Sequence, residues 1–226
     1  VLNEMNNSTD NFNTAVGYEA GKKISTGTNN TLIGGLAGDA LTSGVRNVAI
    51  GYNALSTEDT TGNTVAIGYQ ALTSQNAGAD SYNVAVGFKA GEAVTTGNEN
   101  TLIGGQAGEA LTTGGGNVAL GKSALADETT GGNNVAIGKD SMSSSQLSQN
   151  NVAVGIQTLQ NVTNSTLKNT YNVAVGAYAG NDVTTGERNI LIGGFAGDTL
   201  TTGADNVAIG YNAIGGVTTG NYNIAI

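Results

Sequence analysis

Apolar and polar positions alternate in short bursts along this chain. A five-residue unit, Asn-x-(Ala/Leu)-x-Gly, recurs from residue 13 to the end. Its glycines are Gly17, Gly34, Gly51, Gly68, Gly87, Gly104, Gly121, Gly138, Gly155, Gly176, Gly193 and Gly210. The step is 17 residues except for 19 from Gly68 to Gly87 and 21 from Gly155 to Gly176, and a thirteenth unit opens at Asn223. Each unit carries a triplet such as Val48-Ala49-Ile50, with Val, Ile, Leu or Thr at the outer positions and Ala or Leu at the centre. Such a triplet predicts a short β-strand, and the glycine after it permits a bend that other residues make only at a cost. A second segment follows, as in Tyr52-Asn53-Ala54-Leu55, and then a polar turn that is often Thr-Thr-Gly.

Two short segments and two turns per 17 residues make one coil of a narrow solenoid. The predicted fold is therefore all-β: a parallel β-solenoid (a β-roll) of about 13 coils over residues 13–226, after a non-repeating lead-in over residues 1–12. With a start at Val1 and a stop at Ile226 in mid-repeat, the chain is expected to be a segment of a longer protein whose repeats continue.

Asn precedes the triplet at Asn13, Asn30, Asn47, Asn83, Asn100, Asn117, Asn134, Asn151, Asn172, Asn189, Asn206 and Asn223, with Thr64 as the exception. Equivalent residues of stacked coils lie about 4.8 Å apart, a spacing at which side-chain amides bond up the stack. These residues are expected to form a structural Asn ladder that closes the turn. A covariation accompanies the triplet. Where its centre is Leu (Leu32, Leu102, Leu191), the residue after the strand glycine is Gly (Gly35, Gly105, Gly194). Where the centre is Ala, that residue is usually larger, such as Tyr52 or Phe88. The exchange suggests two side chains sharing one space.

Successive strand residues face opposite sides, and both sides of these triplets are apolar. A strand apolar on both faces is buried on both. One face fills the coil, and the other calls for a partner, which a cyclic homo-oligomer supplies with one repeated patch.

Composition narrows the functional classes. Gly accounts for 36 of 226 residues, Asn is almost as abundant, and Pro, Cys, His and Trp are absent. With 8 Lys plus Arg, of which only Lys22 and Lys23 are adjacent, and a net charge of −9, no basic stripe is present for nucleic acid. No apolar run approaches a membrane span. Without His or Cys the commonest general base and the thiol nucleophile are missing, so neither catalysis nor a bound cofactor is expected. The paired acids Glu58-Asp59 and Asp127-Glu128 read as solvated turn residues. The segment from Gly116 to Ser123 matches the phosphate-loop spelling G-x-x-x-x-G-K-[ST], but its variable residues contain the repeat strand rather than preceding a helix. The run Gly34-Gly35-Leu36-Ala37-Gly38-Asp39 is similar to a calcium-roll repeat. Its copies, ending in Glu109 and Asp198, are too far apart to share ions, and a solvated acidic turn is expected.

Runs such as Asn47-Val48-Ala49-Ile50-Gly51 and Asn206-Val207-Ala208-Ile209-Gly210 resemble the repeats of YadA-like heads of trimeric autotransporter adhesins. With its longer unit and Thr-Thr-Gly turns, the chain resembles bacteriophage tail-fibre and receptor-binding repeats still more. The resemblance implies a homotrimer of left-handed β-rolls in a fibre that attaches to a host-surface glycan or protein. The virion is then the expected location, with a bacterial cell surface as the alternative. A third reading, from another class, takes the Thr-Thr turns as an ice-binding face. Solenoids carry insertions in surface loops, often on the binding face. The two long coils therefore nominate Thr73, Asp80, Tyr82, Gln160, Lys168 and Tyr171 as receptor-contact residues.

Overall fold

The computed structural model describes residues 11–60 and 62–226, which contain only short strands and turns and no helix. Most of the expected lead-in, residues 1–10, lies outside the described residues. The chain divides at Gly114/Gly115 into two compact units. Both are parallel β-solenoids, and the chain carries about 13 coils with a 17-residue period, as the repeat predicts.

The first unit contains β1 (Thr14–Val16), β2 (Thr31–Ile33), β3 (Val48–Ile50), β4 (Val65–Ile67), β5 (Val84–Val86) and β6 (Thr101–Ile103), paired in chain order and all parallel. The second contains β7 (Val118–Leu120), β8 (Val135–Ile137), β9 (Gln146–Gln149), β10 (Val152–Val154), β11 (Thr163–Asn169), β12 (Val173–Val175), β13 (Ile190–Ile192), β14 (Val207–Ile209) and β15 (Ile224–Ala225). There β9 pairs with β11 in a small side sheet, and the other strands form the main ladder. Each residue stacks on its equivalent in the next coil, as Val48 on Val65 and Ile50 on Ile67. The longer steps leave this register intact: Val65 still meets Val84, and Val152 still meets Val173.

Triplet centres such as Leu32, Ala49 and Ala136 are fully buried, while the outer residues are half-exposed. The Ala/Leu face therefore lines the coil interior and the Val/Ile face points out. Two further columns complete the interior. One is the Ala of the second segment (Ala20, Ala37, Ala54). The other lies seven residues after the strand glycine (Ile24, Leu41, Val94, Leu111).

This layout corrects the reading of the covariation. The residue after the strand glycine points outward, with Tyr52 and Phe88 about half-exposed, so it shares no space with the buried triplet centre. The volume exchange occurs four residues after the strand glycine. An ideal Cβ on Gly38 would lie 2.8 Å from Leu32 Cδ2 and 2.8 Å from Leu41 Cδ1. On Gly91 it would lie 2.8 Å from Leu102 Cδ1, and on Gly197 2.7 Å from Leu191 Cδ2. Elsewhere that position is Leu55, Leu72, Leu125, Met142 or Leu159, buried in its own right. A large triplet centre thus replaces a large neighbour four residues after the glycine, in its own coil or the one before, as close packing requires.

The strand glycines are fixed by a different contact. Gly51 has φ +134°, and a Cβ on it would fall 2.3 Å from the Gly68 carbonyl oxygen of the next coil. Gly51→Ala should cost about 3 kcal/mol of stability through combined strain and clash. Gly78→Ala, at φ +70° with nothing within 4 Å, should cost only about 1 kcal/mol. Chemical denaturation of both variants checks this. Equal losses would show that dihedral strain alone selects glycine in the strand column.

Candidate functional site

The Asn ladder exists, and its main rung joins a side chain to backbone. Asn30 Nδ2 donates to the Gly44 carbonyl at 2.8 Å, and Asn30 Oδ1 accepts the Asn47 N–H at 2.9 Å. The same pair of bonds recurs at Asn83 and at Asn134, Asn172, Asn189 and Asn206. Asn13 Nδ2 reaches the Gly27 carbonyl, Asn100 Nδ2 the Gly114 carbonyl and Asn117 Nδ2 the Gly131 carbonyl. Asn151 departs, donating to the Gln149 carbonyl, and Asn223 bonds back to Asn206 Oδ1 at 2.8 Å. Direct amide-to-amide bonds, as from Asn189 Nδ2 to Asn172 Oδ1 at 3.1 Å, are the secondary rungs. Every ladder Asn from Asn30 to Asn206 is buried, so the row serves the fold and offers no accessible polar groove.

Thr64 interrupts the ladder, and a buried polar layer repairs it. Asn47 Oδ1 accepts the Thr64 N–H at 3.1 Å. Thr64 Oγ1 bonds Ser81 Oγ at 2.7 Å. Gln75 Nε2 lies within 3.0–3.2 Å of Ser81 Oγ, Thr64 Oγ1 and Glu58 Oε2, and Gln75 Oε1 accepts from Asn83 Nδ2 at 2.8 Å. In the second unit Glu128 accepts the N–H groups of Thr129, Gly131, Leu147 and Ser148 and the Ser148 hydroxyl, at 2.8–3.2 Å. Glu58 and Glu128 are fully buried, which corrects their reading as solvated turn acids. The signal was present in the sequence. Both stand seven residues after a strand glycine, in the column held elsewhere by Ile24, Leu41, Val94 and Leu200.

The two insertions take different paths. Residues 73–82 form turns without a strand, whereas the second insertion carries the bulged strand β11. Thr73 is half-buried and donates to the Asn53 carbonyl at 2.9 Å. Asp80 is exposed and accepts from Asn63 Nδ2 at 2.7 Å. Gln160 is half-buried between Ser143 and Asn181. Lys168 pairs with Glu187. Tyr82 and Tyr171 are 58% and 53% exposed. Three of the six nominated residues lie in each unit, each with its own partners.

Both motif spellings lie within the regular repeat. Residues 118–120 of the phosphate-loop spelling are β7, followed by turn rather than helix. Among the described residues there is no group of three or more His, Cys, Asp or Glu able to hold a metal, and no pocket. Asp39, at the end of the calcium-roll-like run, is half-buried, and its Oδ1 is buried without a hydrogen-bond partner among the described residues. Burial pushes its carboxyl above the ordinary range. In the Thr-Thr turns the first hydroxyl bonds the next coil: Thr184 Oγ1 donates to the Thr201 carbonyl at 3.2 Å and Thr201 Oγ1 to the Thr218 carbonyl at 2.8 Å. The second (Thr185, Thr202, Thr219) is exposed.

The outer sheet face carries an accessible apolar row in each unit. In the first, Ile33, Ile50, Ile67, Val86 and Ile103 form a row beside the stacked rings of Tyr52, Tyr69 and Phe88, with centroids 5.7 and 5.5 Å apart. In the second, Tyr178 stacks on Phe195 at 4.9 Å, and Tyr211 meets Phe195 edge-on. No protein-family model, curated protein or solved structure matches the chain.

Asn189→Ala removes the partners of the Asn206 N–H and the Gly203 carbonyl. With two buried groups left unpaired, unfolding free energy should fall by about 2–4 kcal/mol. Hydrogen exchange at the Asn206 amide should accelerate beyond the global change. Exchange that only tracks global unfolding would place the loss elsewhere.

Acid titration should show two opposite signs. The Lys168 ammonium holds Glu187 below the ordinary carboxylate range, and the Arg188 guanidinium does the same for Asp205. Their contribution is present at neutral pH and is lost as pH falls below about 4, through the folded values. Asp39, raised by burial, opposes folding when ionised and is relieved as pH falls. Asp39→Asn should therefore raise Tm at pH 7, with the gain vanishing once the folded carboxyl is protonated. An unchanged Tm at pH 7 would contradict this.

Proposed function

We propose that the chain is a structural and adhesive fibre segment, the shaft or receptor-binding region of a phage tail fibre, assembled as a homotrimer and carrying no catalytic role. The observation that carries this is the outward sheet face. Each full triplet turns two outer residues toward water, both Val, Ile or Leu except where Thr14, Thr31 and Thr101 stand first, and the aromatic stacks lie beside them. Exposed apolar patches of this extent mark association surfaces. A second copy of the chain matches the face, because a repeating patch is complementary to itself under cyclic symmetry. The number three comes from the resemblance to tail-fibre and adhesin repeats, and the face itself requires only further copies. The same repeat unit supports a bacterial surface adhesin head as a second reading, with the cell surface in place of the virion. No helix among the described residues is long and apolar enough to cross a membrane.

Sedimentation equilibrium should give about three times the 22.4 kDa chain mass. Ile50 and Ile137 point outward and are half-exposed in the single chain, so Asp at both positions leaves each coil interior intact. The double variant Ile50→Asp/Ile137→Asp should sediment at the mass of one chain while keeping its β-sheet circular dichroism. Retention of the higher mass would mean that a different face associates.

A further inference from the structure

The two insertions differ in length and path, yet they close on the same corner. The first ends in Asp80-Ser81-Tyr82-Asn83 and the second in Asn169-Thr170-Tyr171-Asn172. In each, the first residue accepts a side-chain amide from the preceding coil: Asn63 Nδ2 to Asp80 Oδ2 and Asn150 Nδ2 to Asn169 Oδ1, both at 2.7 Å. The second residue bonds the ladder position of that coil. Ser81 Oγ lies 2.7 Å from Thr64 Oγ1, and Thr170 Oγ1 donates to Asn151 Oδ1 at 2.7 Å. The carbonyls of Ser81 and Thr170 accept the N–H groups of Glu99 and Arg188 at 2.7 and 2.8 Å. Both tyrosines are left-handed, with φ 51° and 52°, and more than half of each is exposed.

Turn closure does not require an aromatic ring there. Arg46, Glu99, Asn133 and Asp205 hold the same left-handed place in other coils, and Tyr222 holds it in a coil of ordinary length. A solvent-exposed Tyr beside a hydrogen-bonded amide or carboxylate is therefore a repeated surface feature, reached by two unrelated loop paths.

We infer that the two corners are equivalent subsites for a neutral glycan, one in each unit. This rests on the adhesive reading above and names the ligand class for it. A pyranose offers a C–H face, which packs on the electron-rich face of an aromatic ring, and hydroxyl pairs that planar amides and carboxylates bond in pairs. The Asp80 carboxylate retains acceptor capacity beyond the Asn63 bond, and the Asn150–Asn169 pair retains donors and acceptors. The charges select against acidic sugars. Arg46 Nε is engaged by Asn63 Oδ1 at 2.7 Å, and its Nη2 lies 3.8 Å from Asp80, while at the second corner the Asn150–Asn169 amide pair is neutral and the neighbouring Lys168 and Arg188 are paired with Glu187 and Asp205. Neither corner keeps an uncompensated cation for a carboxylate or phosphate.

The test is an array of neutral and acidic oligosaccharides of two to six hexoses, read with the intact oligomer and confirmed by saturation-transfer NMR on the hits. Wild type should bind a neutral member of the array. Tyr82→Ala/Tyr171→Ala should weaken that binding by about tenfold or more, and Tyr82→Phe/Tyr171→Phe should keep most of it. Both variants should retain the wild-type Tm and sedimentation mass, since the rings are exposed. Absence of any neutral hit, binding confined to acidic sugars, or undiminished binding by the Ala variant would each overturn the proposal. Sedimentation of the same samples separates the two readings: an intact oligomer that binds no glycan defeats the subsites alone, whereas a folded single chain defeats the fibre reading.

Discussion

Backbone hydrogen bonding between successive coils is the constraint on which the rest depends. The Val48 N–H donates to the Thr64 carbonyl in one direction, and the Gly51 N–H donates to the Ile33 carbonyl in the other. Once the backbone is committed to this ladder, coils must superimpose at the ladder spacing, and each residue type acquires a column. The strand glycine follows, because a Cβ there would strike the next carbonyl. The Asn ladder follows as well, because each turn exposes one N–H and one carbonyl that no strand satisfies. Even the strained backbone follows. Each regular coil turns its corners with left-handed residues, as Arg46, Asn53 and Leu55 do, and tolerates them because the ladder overdetermines their positions.

This explains which parts of the fold could be read from sequence. A contact that repeats in every coil leaves a periodic trace, so the strands, the glycine column, the Asn column and the parallel order were all legible. Interactions that occur once or twice were not. The Leu32–Gly38 exchange was masked by Gly35, a neighbour that varies with it but faces solvent. Glu58 and Glu128 carry the chemistry of turn acids, and only their place in the repeat marks them as buried. Placed in the column of Ile24 and Leu41, they are core residues that exchange apolar burial for backbone hydrogen bonds.

The insertions show the same division. Their existence and location were plain from the 19- and 21-residue steps. Their conformation was not, because β11 is a polar run, Thr-Asn-Ser-Thr-Leu-Lys-Asn, with little intrinsic strand signal. It becomes a strand because β9 lies one coil away and pairs with it in parallel, with a register shift between Thr163 and Lys168. Stacking imposes the structure there, and propensity contributes little.

Column identity also locates where function can vary. Inward columns are restricted by volume and the glycine and Asn columns by backbone geometry, so sequence freedom remains only in the outward ones. Two of these depart from simple polar filling. The residue after the strand glycine becomes aromatic in consecutive coils, at Tyr52, Tyr69 and Phe88. The residue before the ladder Asn becomes Tyr at both insertions and again at Tyr222. The first is a continuous apolar stripe, suited to another repeating surface such as a second copy. The second is an isolated ring among polar side chains, suited to a small polyhydroxylated ligand. A solenoid can thus hold assembly and recognition in separate columns of one coil, and a change in either leaves the ladder that supports both untouched.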